Sequence, residues 1–169
     1  QPVPGDPVAT RQIIQEAIDD AAAETPVGTV VLGEGLFEID AQLMLTNGVT
    51  LQGQGWEKTI IKQTAAAGAN SRVVTVDGGA TVKKVALTGG RVTGGNYNFG
   101  GGAFVNDGTV SWCCITNNSV TTANTKYGGG VGFFRALVEI LGRQRRVFPQ
   151  ERIFIAVQKD IRNPGVRAG

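Results

Sequence analysis

Two stretches of this chain repeat one another at an offset of about 28 to 30 residues, and that period restricts the fold more than any single motif. VVTVDGGATVKKVALTGG at 73–90 lines up with GAFVNDGTVSWCCITNN at 102–118. The alignment pairs Asp77 with Asp107, Thr81 with Thr109, Val82 with Val110 and Leu87 with Ile115. GVTLQGQG at 48–55 begins a looser, earlier copy, and GGGVGFF at 128–134 echoes FGGGAFV at 99–105. Each unit consists of short β-branched runs separated by glycine or asparagine turns, so each reads as strands and not helix. One unit cannot bury its own apolar side, whereas stacked units share a continuous core. The expected class is therefore all-β, a β-solenoid of about four rungs before residue 132.

Upstream of the repeats the period changes. QPVPGDPVA is loop-like, with prolines at 2, 4 and 7. Thr10 is the expected cap of a helix over about 11–23. Ile13, Ile14, Ala17, Ile18, Ala21 and Ala22 form one apolar stripe along it. Such a helix can cover the open end of a solenoid, where unpaired strand edges otherwise invite aggregation. TVVLGEGLFEI, QLMLTNGVTLQG and KTIIKQ then read as short strands. The chain holds 25 glycines, but not at every third position, so they serve turns and close backbone approach and exclude collagen.

These segments carry a family resemblance. IIQEAIDDAAAETPVGTVVLGEGLFEIDAQLMLTNGVTLQGQGWEKTIIKQ, residues 13–63, resembles the start of pectate-lyase-like right-handed parallel β-helix proteins. In that family an Ala-rich capping helix precedes a gxVxLxxGxY strand, matched here by Gly28 to Phe37, with phenylalanine at the usual tyrosine place. A GVTLxGxG block follows, matched by Leu43 to Gly55 and then Thr59 and Ile60. GGAFVNDGTVSWCCITNNSV is similar to repeats of bacterial secreted and surface β-helix proteins. The resemblance implies a short right-handed parallel β-helix over 1–132, secreted or displayed at the cell surface. Gln1 in place of Met fits a chain that begins after cleavage.

The pattern breaks at Arg135. Residues 1–132 hold 8 Lys/Arg against 11 Asp/Glu, whereas 133–169 hold 8 against 3. The basic, non-repetitive segment 133–169 fits three roles: a C-terminal cap, an element for homo-oligomer assembly, or foreign sequence. Its arginines lack an accompanying aromatic or recognition-helix motif, so no nucleic-acid partner is expected. No apolar run of 18 residues occurs, so no membrane span is expected either.

Chemistry is sparsely marked. The chain has no histidine, which removes the Ser-His-Asp and Cys-His nucleophile arrangements. Cys113 and Cys114 are neighbours, so strand alternation turns one inward and one outward. Enzymes of the resembled family use clustered carboxylates, often holding calcium, beside a lysine or arginine. On that pattern Asp77, Asp107 and Lys84 are the catalytic candidates, with the two aspartates stacked on successive rungs. Asp-Gly is also a favoured turn dipeptide, and turn chemistry is the preferred reading of both. No cofactor is assigned, and two carboxylates alone make a poor calcium site.

Tyr97 and Phe99 in the long GGRVTGGNYNFGGG loop, with Trp112, are the candidates for stacking on a sugar. Asn117 and Asn118 are expected to make stacked hydrogen bonds at a turn. The expected function is a non-enzymatic structural or polysaccharide-binding domain. The alternative is a lyase or glycoside hydrolase acting on acidic polysaccharide.

Overall fold

A computed structural model describes residues 1–66, 71–93, 99–121 and 129–133. Its first element is helix α1, Pro7–Ala23. The cap is Asp6, four residues before the expected Thr10: its carboxylate accepts from the Ala9 amide at 2.9 Å. Pro7 then opens the helix, because it lacks the N–H that would go unpaired there and its φ already suits the turn. Thr10 is instead buried inside the helix, where its hydroxyl accepts from the Val3 amide (2.9 Å) and donates to the Val3 carbonyl (3.3 Å). The buried face is Thr10, Ile14, Ile18 and Ala21, narrower than the expected stripe because Ile13 is exposed.

Fourteen short strands follow among the described residues. Sheet 1 contains β1 (Thr29–Val31), β4 (Thr50–Gln52), β7 (Ala80–Lys83) and β11 (Gly108–Ser111). Sheet 2 contains β2 (Gly35–Ile39), β5 (Thr59–Gln63), β8 (Ala86–Thr88) and β12 (Cys114–Thr116). Sheet 3 contains β3 (Leu43–Leu45), β6 (Val74–Val76), β10 (Ala103–Val105) and β14 (Val131–Phe133). A small fourth sheet pairs β9 (Arg91–Thr93) with β13 (Ser119–Thr121). The chain visits the three main sheets in rotation four times. Each strand from β1 to β10 pairs in parallel with its counterpart one circuit on. The result, among the described residues, is an all-β, solenoid-like stack of parallel sheets with one helix.

Registration explains the period. Arg91 pairs with Ser119 and Ala103 with Val131, both 28 residues on. Thr81 with Thr109, Val82 with Val110 and Leu87 with Ile115 pair as the sequence alignment has them. Because side chains alternate across a strand, registered strands build continuous internal columns. One runs Phe37, Ile61, Leu87, Ile115 and another Leu45, Val76, Val105, all buried.

The corners repeat as well. Lys84 and Trp112, at the bend after β7 and β11, share a left-handed backbone with φ of 58° and 55°. After β8 the corresponding bend uses Gly89 at φ 81°, where a Cβ would crowd the Gln63 carbonyl oxygen. Asn118 stitches two circuits: its side chain donates to the Leu87 carbonyl (2.9 Å) and accepts from the Gly90 amide (2.8 Å). Asn118 thus makes the stacked bonding expected of it, whereas Asn117 joins the neighbouring circuit through its backbone carbonyl, which accepts from the Gly89 amide at 3.3 Å.

α1 closes the first circuit. It packs on β1, β2 and β3, and Gly28 N–H donates to the Ala21 carbonyl at 2.8 Å, tying the helix end to the first strand. On the outer edge of β3, the Gln15 amide behaves as a one-residue strand. It donates to the Met44 carbonyl (3.0 Å) and accepts from the Met44 amide (2.9 Å). Among the described residues no helix is long and apolar enough to cross a membrane. Residues 134–169, which hold nearly all of the basic segment, lie outside the described residues.

Three outcomes are expected. Leu87→Ala, which opens a cavity in the middle of a column, lowers the free energy of urea unfolding by about 2–5 kcal/mol. Thr109→Ala, on the exposed side of sheet 1, changes it by less than about 0.5 kcal/mol. Gln15→Ala leaves the fold intact but frees the β3 edge, so light scattering shows higher mass at raised concentration.

Candidate functional site

On the outward side of sheet 3, registration sets Met44, Thr75, Phe104 and Gly132 in one column across four strands. Phe104 points outward because its neighbours Ala103 and Val105 point into the core. Phe99, arriving from the loop before β10, stacks on it with ring centroids 6.0 Å apart and an interplanar angle of 23°. Glycine at 132 makes room for this stack, since a Cβ there would collide with the Cβ of Phe99. Aromatic pairs in offset stacking contribute about 0.5–1.5 kcal/mol beyond their burial.

The third member is Arg72, just ahead of β6. Its guanidinium carbon lies 5.1 Å from the Phe104 ring centroid, within cation–π range. Burial holds its pKa below the ordinary arginine value. Its Nε is buried and has no hydrogen-bond partner among the described residues. Below the stack, Thr75 is covered, and its hydroxyl donates to Gln42 Oε1 at 3.2 Å. The face thus combines two stacked rings with a cationic donor edge.

The residues expected from sequence fall in separate places. Phe99 belongs to this cluster, whereas Trp112 sits at the bend between β11 and β12 and is 46% exposed. Tyr97 lies outside the described residues. Asp77 and Asp107 do not stack on each other as the alignment proposed. Three residues separate β6 from β7 but only two separate β10 from β11, so Asn106 takes the place opposite Asp77. Asn106 Nδ2 donates to Asp77 Oδ1 at 3.1 Å, and the Gly78 amide donates to the same oxygen at 2.8 Å. Asp107 is exposed, and its carbonyl accepts from the Gly79 amide. Lys84 stands at the far end of β7 from Asp77, so the three candidates do not converge. Among the described residues no three of His, Cys, Asp and Glu gather as metal ligands.

Arg72 and Phe104 were not singled out from sequence. The available signal was the offset itself: strand alternation turns Phe104 outward, and the period sets it beside β6, which Arg72 precedes. No protein-family model, curated protein or solved structure matches this chain.

The two thiols divide as strand alternation requires. Cys113 is 3% exposed and Cys114 half-buried. Loss of hydration pushes the Cys113 thiol up to about 11 from a usual 9.0. A buried neutral thiol is no nucleophile at neutral pH.

The sign of the resulting pH effect is fixed. Above pH 9 the unfolded chain loses the Cys113 proton while the folded chain keeps it. Stability is therefore full below pH 9 and falls as pH rises toward 11, by roughly 2–3 kcal/mol. Urea unfolding at pH 8 and 10.5 is expected to show this drop, and Cys113→Ala to reduce it. In the native protein at pH 8, a thiol reagent is expected to label Cys114 and spare Cys113.

Proposed function

We propose that this chain is a right-handed parallel β-helix of the pectate-lyase-like type, secreted or surface-displayed, which binds a glycan without cleaving it. The resemblance over 13–63 supports the superfamily, and the rotation of parallel strands through three sheets is compatible with it. Parallel crossovers are right-handed in nearly all known cases, which supports the hand.

The observation that carries the binding reading is the Phe99–Phe104 stack with Arg72 over it, held on the outward side of sheet 3. Sugar rings present apolar C–H faces that lie on aromatic rings, while polar groups around the rim fix their orientation. Solenoids commonly place ligand sites where loops meet one face.

The rival, a lyase or hydrolase, needs carboxylates and a base around one point. Here Asp77 is engaged by Asn106 and Gly78, and Lys84 sits at the opposite end of the strand.

A panel of immobilised neutral and acidic polysaccharides tests the proposal. The expected result is saturable binding with no release of reducing or unsaturated ends. Phe104→Ala is expected to weaken binding about tenfold, ~1.4 kcal/mol. Turnover abolished by Asp77→Asn or Asp107→Asn would establish the rival instead.

A further inference from the structure

Among the described residues three cations stand in ion pairs, while Lys83, Lys84, Arg91 and Arg72 do not, and of these four Arg72 alone has a buried, unmatched donor atom. Arg11 lies 3.2 Å from Asp40, Lys58 2.6 Å from Glu34 and Lys62 2.9 Å from Glu38. Arg72 takes part in none of the ion pairs among the described residues. Phe104 attracts its positive charge but offers no lone pair to Nε. A buried donor left unmatched is costly, more so on a charged group, and such donors in native proteins are usually completed by water, an ion or a ligand. Guanidinium presents five N–H donors in a planar fork whose spacing matches the oxygens of carboxylate, sulfate and phosphate.

Resting on the glycan reading above, we infer that Arg72 is an oxyanion subsite: its donor edge binds a carboxylate, sulfate ester or phosphate ester carried on the sugar that stacks at Phe99 and Phe104. The aromatic pair supplies affinity for a ring face, and Arg72 supplies selection for charge. Lysine cannot replace it, because a point ammonium lacks the Nε donor and the planar fork.

The test follows the Arg72 Nε–H resonance by NMR, assigned by its loss in Arg72→Lys. Glucose 6-sulfate, glucuronate, inorganic sulfate, inorganic phosphate, glucose and sodium chloride are titrated at constant ionic strength. Saturable movement with glucose 6-sulfate or glucuronate is expected, with none from glucose or chloride. Whichever charged sugar moves it identifies the group recognised. Isothermal calorimetry, which does not need that resonance, is expected to show Arg72→Lys binding the same sugar at least tenfold more weakly while melting at the wild-type temperature.

Movement equal to that caused by chloride, no movement at all, or undiminished affinity in Arg72→Lys overturns the subsite. Failures of the two readings separate cleanly. If inorganic sulfate or phosphate moves the resonance and no sugar does, the anion site stands as a site for the free ion, and the glycan reading and the sugar-borne group fall. If neutral polysaccharide binds and no oxyanion moves it, the glycan reading stands and the subsite falls.

Discussion

Hydrogen bonding between successive circuits is the constraint on which this structure rests. A three-residue strand such as β8 has no stability alone, and nothing within its own circuit pairs with it. Its amides and carbonyls are satisfied by the strands of the circuits on either side. Stacking therefore has to be in register, and register in turn aligns the apolar side chains into columns. The column Phe37, Ile61, Leu87, Ile115 is as much a product of backbone pairing as of hydrophobicity. Bends such as Lys84 and Trp112 repeat for the same reason: a circuit that turned elsewhere would lose its partner.

A stack held together this way exposes unsatisfied edges at its ends. Here the first circuit is covered by α1, and the cover is specific at two places. Ala21 accepts the amide that leads into β1, and Gln15 completes the β3 edge at Met44. The helix thus supplies both an apolar lid, through Ile14 and Ile18, and replacement hydrogen bonds.

The repeat and its core were legible in the sequence because inward positions obey a strict pattern. Val82 with Val110 and Leu87 with Ile115 pair as the 28-residue offset requires. Asp77 and Asp107 misled the alignment because the turn between sheets 3 and 1 is one residue shorter in the later circuit, so identical dipeptides no longer coincide. The helix start was misplaced for a different reason. Thr10 and Asp6 both carry a capping oxygen, and Pro7 decides between them by having no amide to satisfy. Arg72 and Phe104 were the least visible. Outward positions follow no hydrophobic rule, and their meeting depends on a register that only paired strands define.

Arg72 and Phe104 also belong to neighbouring circuits, 32 positions apart in the chain yet in contact across one strand spacing. Gene rearrangements that insert or delete whole units would keep the internal columns continuous. The same events would move the arginine away from its ring by about 4.8 Å for each unit added. Evolution can thus lengthen or shorten such a molecule at little thermodynamic cost while abolishing, or recreating elsewhere along the stack, its recognition chemistry. In this architecture the scaffold is tolerant of copy number, and the surface keeps the count.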